Sequence, residues 1–256
     1  MISTSIATVA RTARVAAMAG AAALGLAMGT AQAAPGTPNR PTGTGTLYGD
    51  PAAAAPFWRY QQYDDDCVEA AVADVVGELT GDQPSEQAII KVAQSTPSTV
   101  HPGPIYTKPK RHHGEGTSFD DEPALLAQYG IDAVSTHKGS AGKTGVGTGM
   151  EALVQDLATG RKVIAAVNGE LLWREPVEDK TSDGEPEANH AVVVTGVDTA
   201  AGIVHLNDSG SEDGRDEQAP IDVFIRSWNS SDNKMTVTSR LARRVMMRIS
   251  RVRRDL

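Results

Sequence analysis

The residue best suited to covalent chemistry is Cys67, the single cysteine of a chain of 256 residues. Asp66 immediately before it and Glu69 three residues later match the pattern of a helix N-cap with a capping box, which predicts the thiol at the first turn of a helix. A helix N-terminus carries unpaired N–H groups and partial positive charge, and both favour the thiolate, the nucleophilic form. Cys67 is therefore a candidate nucleophile for acyl transfer.

The thiol needs a cationic neighbour, because Asp64, Asp65 and Asp66 oppose its ionisation through like charge. Of the six histidines, His190 is the best placed for this role. It follows a polar stretch and opens an apolar run, so it is expected at the end of a strand rather than inside one. A histidine there can face a cleft and pair with Cys67.

A predicted β-hairpin brings an acidic group to this histidine. Residues 190–197 and 203–207 are two β-rich runs joined by a short loop, as in an antiparallel pair. Antiparallel register then places His190 and Asp208 at the same open end of the hairpin. An aspartate bonded to one imidazole nitrogen fixes the tautomer and leaves the other nitrogen for the thiol. Asn207 is the alternative orienting residue.

Apolar periodicity predicts the elements that hold these groups. An apolar face from Val68 to Leu79 at helical spacing indicates a helix that ends at Gly81. The further predicted elements are helices after 85, at 122–129 and at 151–158, strands at 131–134 and 163–167, and loops at 95–121 and 139–149. Helices precede antiparallel strands, so the predicted class is α+β.

The N-terminus has the features of an export signal. Arg11 and Arg14 precede an apolar stretch, and Ala31-Gln32-Ala33 is a small-x-small cleavage pattern. We therefore expect a signal peptide at 1–33 and a secreted or cell-envelope location. The predicted organisation continues with a flexible linker at 34–56, a catalytic-type domain at 57–238 and a basic tail at 239–256.

Charge limits the partners. A formal net charge of −8 does not favour nucleic acid, whose phosphates need Lys and Arg. The tail interleaves arginines with apolar residues, as in helices that contact anionic surfaces, so contact with the cell envelope is a hypothesis beside a solvated helix. His112 and His113 lack structural metal spacing, and neither a metal nor an organic cofactor is expected.

The order of the motifs resembles papain-clan cysteine peptidases, and most closely family thirty-nine, the bacteriocin-processing type, with its standalone secreted relatives. Gln61 stands six residues before Cys67, and His190 and Asp208 follow in the family's order. The resemblance implies a papain-like fold in which an N-terminal helix carrying the cysteine packs on an antiparallel sheet carrying His and Asp. It also implies a thioester acyl-enzyme, with a peptide or protein as substrate and Gln61 as oxyanion donor.

Two positions depart from the family pattern. Val68 replaces the usual glycine after the nucleophile, and Ser209 replaces the usual proline after the aspartate. Three other functions therefore remain open: a non-catalytic envelope-binding protein on the same fold, a peptidoglycan amidase, and acyl transfer to an amine. No exporter segment accompanies the domain, so a double-glycine leader is not the expected substrate.

Overall fold

The structure, a computed structural model, describes residues 45–107 and 116–239. These residues belong to one compact unit that spans Thr44–Leu256. The predicted signal peptide, residues 34–44 of the predicted linker and residues 240–256 of the basic tail lie outside the described residues, as do His112 and His113. Within the described ranges, no helix has the length and apolar character needed to span a membrane.

Seven strands form one antiparallel sheet in the described part of the chain. They are β1 (Leu47–Gly49), β2 (Ala133–Thr136), β3 (Val163–Val167), β4 (His190–Asp198), β5 (Ile203–Asn207), β6 (Glu217–Pro220) and β7 (Met235–Thr238). The sheet order is β2-β7-β3-β4-β5-β6, and β1 pairs with the far end of β4. The long strand β4 is thus central, and its first residue is His190.

Eight α-helices surround the sheet within the described ranges. They are α1 (Pro51–Ala54), α2 (Cys67–Thr80), α3 (Glu86–Ser95), α4 (Glu122–Ala127), α5 (Ala141–Thr144), α6 (Met150–Ala158), α7 (Gly169–Trp173) and α8 (Ile221–Asn229). Helices α2, α3 and α4 pack in one apolar cluster and α6 and α8 in another. Because side chains alternate along a strand, Val193 of β4 enters the first cluster and Val192 and Val194 enter the second. The predicted α+β class is confirmed.

Helix α2 confirms the predicted helix but not its predicted cap. It spans Cys67–Thr80, and the C-cap residue Gly81 has a left-handed φ of 76° that glycine adopts without a Cβ clash. The Asp66 side chain makes no capping hydrogen bond. Glu69 does not complete a capping box either, because its Oε1 accepts a 2.6 Å bond from the Thr117 hydroxyl. Both carboxyls are buried instead of lying at the helix surface.

Residues 45–56, predicted as linker, are instead built into the domain. Strand β1 pairs with β4 in the register Leu47↔Asp198. Asp50 then caps α1 by accepting a bond from the Ala53 N–H at 3.1 Å, and Pro51 occupies the first turn. A composition of small residues and proline looks like a linker, yet Ala54 is 1% exposed because a small side chain fits against the sheet.

The other differences concern short elements. Strand β2 begins two residues later than predicted, α4 is shorter, and α5 lies inside a predicted loop. Strands β6 and β7 and helix α7 were not predicted, since four or five residues carry too little periodicity to show. Helix α7 matters most, because it carries Trp173 to the site.

Candidate active site

The structure brings Cys67, His190 and Asp208 together at one end of the sheet. His190 Nε2 and Asp208 Oδ1 are 2.6 Å apart, and both residues are buried. The partly exposed Cys67 thiol is a hydrogen-bonding and charge partner of the same imidazole. The order thiol, imidazole, carboxylate is the one in which a histidine can take a proton from a cysteine.

Asp208 is held by partners on every side. Its Oδ2 accepts a 2.8 Å bond from Trp173 Nε1, and its Oδ1 accepts one of 2.8 Å from the Gly210 N–H. Its backbone carbonyl accepts a 2.6 Å bond from Trp58 Nε1. A Cβ at position 210 would lie 2.9 Å from both the His190 and Trp173 rings, so only glycine fits there. These bonds keep the carboxylate in one orientation.

Asn207, the alternative orienting residue, faces away from the histidine. Its Nδ2 donates to the Ala54 carbonyl at 3.0 Å, which anchors the segment at 45–56 to β5. Its Oδ1 accepts from the Asp216 N–H at 3.4 Å. Asp208 is therefore the neighbour that can orient the imidazole.

The buried pair favours charge on both partners. Burial alone would lower the pKa of His190, but the Asp208 carboxylate, with a smaller contribution from Cys67, raises the pKa to about 10. Burial would likewise raise the pKa of Asp208, and the His190 cation together with the Trp173 and Gly210 N–H groups lowers it. The aspartates around Cys67 disfavour a thiolate, and a positively charged imidazole beside the thiol offsets that effect.

Gln61 lies in the segment that leads into α2 and is anchored to the Asp208 loop. Its backbone N–H donates to the Ser209 carbonyl at 2.9 Å, and its Oε1 accepts from the Ser209 hydroxyl at 2.8 Å. Its Nε2 donates to the Tyr63 carbonyl at 2.7 Å. A primary amide has two N–H groups, so one donor remains after that bond.

Comparisons with known proteins identify the family of this chain. The model of the Peptidase_C39 like family matches residues 54–235. The chain belongs to the Peptidase_C39 like family. Uncharacterized protein Mb1299c of Mycobacterium bovis and Uncharacterized protein Rv1268c of Mycobacterium tuberculosis are each 55% identical over 243 residues, covering 93% of this chain and 100% of theirs.

A solved structure shows the same fold. A C39-like peptidase from Bacillus anthracis aligns with a TM-score of 0.54 and 17% identity, covering 77% of this chain and 99% of that one. The predicted family and the papain-like α+β fold are both confirmed.

A group of buried carboxyls surrounds the N-terminus of α2 in this C39-like domain. Neither oxygen of Asp66 has a hydrogen-bond donor among the described residues, and the carboxyl of Glu86 lies close enough to act on its pKa. Burial, reinforced by Glu86, raises the pKa of Asp66 to about 9. Burial also raises the pKa of Glu69 to about 7. A carboxyl whose pKa is about 9 is protonated at neutral pH, so Asp66 is neutral beside the thiol.

Two site residues were missed by sequence reasoning, namely Trp58 and Trp173. The Trp173 ring lies 5.2 Å from the His190 ring, centroid to centroid, besides donating to Asp208. A chain with only three tryptophans offers a weak signal, but the lone polar N–H of a buried indole usually seeks an acceptor. Among the described residues, no group of three or more His, Cys, Asp or Glu side chains could hold a metal ion.

Proposed function

We propose that the protein is a cysteine peptidase that hydrolyses a peptide or amide bond through a thioester acyl-enzyme. The observation that supports this most strongly is the fixed imidazole of His190, with Nε2 held by Asp208 at 2.6 Å and the other ring nitrogen left for Cys67. Membership of the Peptidase_C39 like family supports the same class of chemistry.

The acylation step begins with the Cys67 thiolate. It attacks the carbonyl carbon, forming a C–S bond and moving the π electrons to oxygen. The α2 N-terminus and the remaining Gln61 N–H are the donors for this oxyanion. The C–N bond then breaks, and the leaving amine takes its proton from the His190 imidazolium. The products are the free amine and a thioester on Cys67.

Deacylation reverses these roles. Neutral His190 removes a proton from water as the water oxygen attacks the thioester carbon, and the C–S bond breaks. The carboxylic acid leaves, and the thiolate and imidazolium are restored. Asp208 keeps its orientation throughout, because Trp173 and Gly210 hold both of its oxygens.

The first experiment measures the alkylation rate of Cys67 against pH in the wild type and in His190→Ala. A free thiol has a pKa near 8.5. We expect fast alkylation that persists at about pH 6 in the wild type and is lost in His190→Ala. A Cys67 that is unreactive, or that behaves as a free thiol in both proteins, would contradict the proposal and favour a binding protein on the same fold.

The location and substrate are further parts of the proposal. The pattern at 1–33 supports export, and a single cysteine fits an exported protein that keeps its thiol free. Mass analysis of the mature N-terminus in the culture medium and envelope fractions tests this, with cleavage after Ala33 expected. Parallel assays with casein and with purified cell wall then distinguish a peptidase from a peptidoglycan amidase. Incorporation of an added amine into the product would reveal acyl transfer.

A further inference from the structure

A cavity of about 280 Å³ lies between helix α3 and the segment that precedes Cys67. It is lined by Tyr63, Gln87, Ile90, Lys91, Gln94 and Tyr106. Pockets for whole small molecules usually measure about 300–1,000 Å³. This cavity therefore has the size for one or two amino-acid side chains rather than for a large cofactor.

The segment at 61–67 contributes to both the cavity and the site. Tyr63 lies between Gln61 and Cys67, and its carbonyl accepts the 2.7 Å bond from Gln61 Nε2. Tyr63 and Cys67 also pack against the same apolar cluster, which contains Ile90 and Tyr106. A peptide whose carbonyl meets Cys67 would thus have a neighbouring side chain within reach of the cavity.

The two walls of the cavity have different chemistry. The Tyr63 and Tyr106 rings form an apolar wall, and Tyr106 directs its hydroxyl to Asp65 Oδ1 at 3.0 Å. The opposite wall is one face of α3, where residues 87, 90, 91 and 94 recur at helical spacing. That face offers the Gln87 and Gln94 amides and the Lys91 ammonium.

Among the described residues that line the cavity, Lys91 is the only charged one, and it makes no ion pair with a described acidic residue. Asp65 and Glu86 each accept one hydrogen bond, and Asp65 Oδ2 has no partner among the described residues. Asp65 accepts from Tyr106, while the buried Glu86 accepts from the Gln62 N–H at 2.6 Å and lies beside Asp66. Lys91 is an exposed residue, so its unpaired ammonium is open to an anionic ligand from outside in a chain with a net charge of −8.

We propose that this cavity is a specificity pocket for a substrate side chain that ends in a carboxylate, that of Glu or Asp. The carboxylate pairs with the Lys91 ammonium and accepts from the Gln87 or Gln94 amide, and the aliphatic stem lies between the tyrosine rings. This inference rests on the proposed function and deepens it, because it names the class of peptide that the site takes.

The test is a binding measurement, so it does not depend on turnover. The full chain carrying Cys67→Ala is titrated with matched peptides that hold Glu, Gln, Ala or Lys at one varied position. We expect Glu to bind about 2–5-fold more tightly than Gln at one position, the scale of an exposed ion pair. Adding Lys91→Glu should reverse this order in favour of Lys. Adding Lys143→Glu, at an exposed helical lysine outside the cavity, is the control and should leave it unchanged.

Four outcomes would overturn the pocket. They are no binding of any peptide, equal binding of Glu and Gln, a preference that survives Lys91→Glu, and a preference lost equally in Lys143→Glu. Peptides with an amidated C-terminus separate a side-chain carboxylate from a terminal one, and loss of the preference on amidation would also contradict the proposal. Turnover of the same peptides by the wild type is measured separately. An absent binding preference therefore contradicts the pocket alone, and absent turnover contradicts the proposed peptidase activity.

Discussion

Asp208 and Asp66, two aspartates of the site region, are equally buried, but burial leaves one ionised and the other protonated at neutral pH. Asp208 and Asp66 are each 0% exposed. Asp208 has a cationic histidine and two N–H donors, and its pKa is lowered despite burial. Asp66 has no donor among the described residues, and its pKa is raised to about 9. Depth alone therefore does not decide the charge of a buried carboxyl; the partners within hydrogen-bonding distance do.

This contrast also explains how a reactive thiol can lie beside three aspartates in the sequence. Asp64, Asp65 and Asp66 would disfavour a thiolate if all were ionised. Asp66 is the closest in sequence, and its protonation near neutral pH removes one of these negative charges without removing the side chain. The imidazolium of His190 is the cationic partner of Cys67.

The largest effect is expected when the negative charge of Asp208 is removed. Asp208→Asn keeps the shape but removes the charge that raises the pKa of His190, so the imidazolium becomes less stable. Because hydrogen bonds to charged groups contribute about 1.5–3 kcal/mol, we expect Cys67 alkylation at about pH 6 to fall about 10–100-fold. Asp66→Asn is the matched control and should fall by less than about 3-fold. Equal losses would show that the two carboxyls do not differ in role.

The second effect concerns the pH dependence of stability, where replacing Asp66 is expected to matter more than replacing Asp208. Asp66 has a folded pKa of about 9 against 3.8 in a model peptide, so the folded state binds the extra proton between these values. The free energy of unfolding should therefore fall as pH rises through this window, by an amount on the order of a few kcal/mol. Asp66→Asn should flatten the fall, measured by urea denaturation at several pH values.

A control is needed for that experiment, because other groups act in the same direction. Burial also raises the pKa of Glu122 to about 8, and His190 loses its stabilising charge as pH rises through about 10. Asp82→Asn, at an exposed aspartate on the far end of α2, should leave the pH dependence as in the wild type. A wild type whose stability rises between about pH 5 and 9 would refute the protonated state of Asp66.

The comparison also separates what sequence could predict from what it could not. Helix α2, the β4–β5 hairpin and the meeting of His190 with Asp208 follow from apolar periodicity and antiparallel register, which are local signals. The failed capping box and the neutral Asp66 do not, because they depend on Glu86 and Thr117, which only tertiary packing brings near. Trp173 was missed for the same reason.

A third variant tests how the charge of Asp208 is maintained. Trp173→Phe keeps an aromatic ring near His190 but removes the 2.8 Å bond to Asp208 Oδ2. We expect the alkylation profile to shift to higher pH, with a rate about 3–10-fold lower at pH 6, because the lost hydrogen bond acts on Asp208 and only part of its about 1.5–3 kcal/mol reaches His190. Trp58→Phe removes a bond to the neutral backbone carbonyl of the same residue. A profile shifted equally by both variants would indicate general loosening of the site.

The smallest effect is expected at a second histidine–aspartate pair, which His205 forms from the same hairpin. His205 Nδ1 and Asp216 Oδ1 are 2.8 Å apart, but their side chains are 13% and 35% exposed, so water competes for both. We expect Asp216→Asn to change the free energy of unfolding by less than about 1 kcal/mol, as for exposed ion pairs. Asn also tolerates the positive φ of 52° at this position.

Thermal unfolding and Cys67 alkylation together measure the result for Asp216→Asn. The alkylation profile should match that of the wild type, because water already screens this pair and the buried Asp208 alone holds His190. A loss of reactivity as large as that of Asp208→Asn would mean that the partly exposed pair of His205 and Asp216 controls the thiol. Burial and direct hydrogen bonding would then not be what sets the charge at Cys67, and the contrast between Asp208 and Asp66 would lose its physical basis.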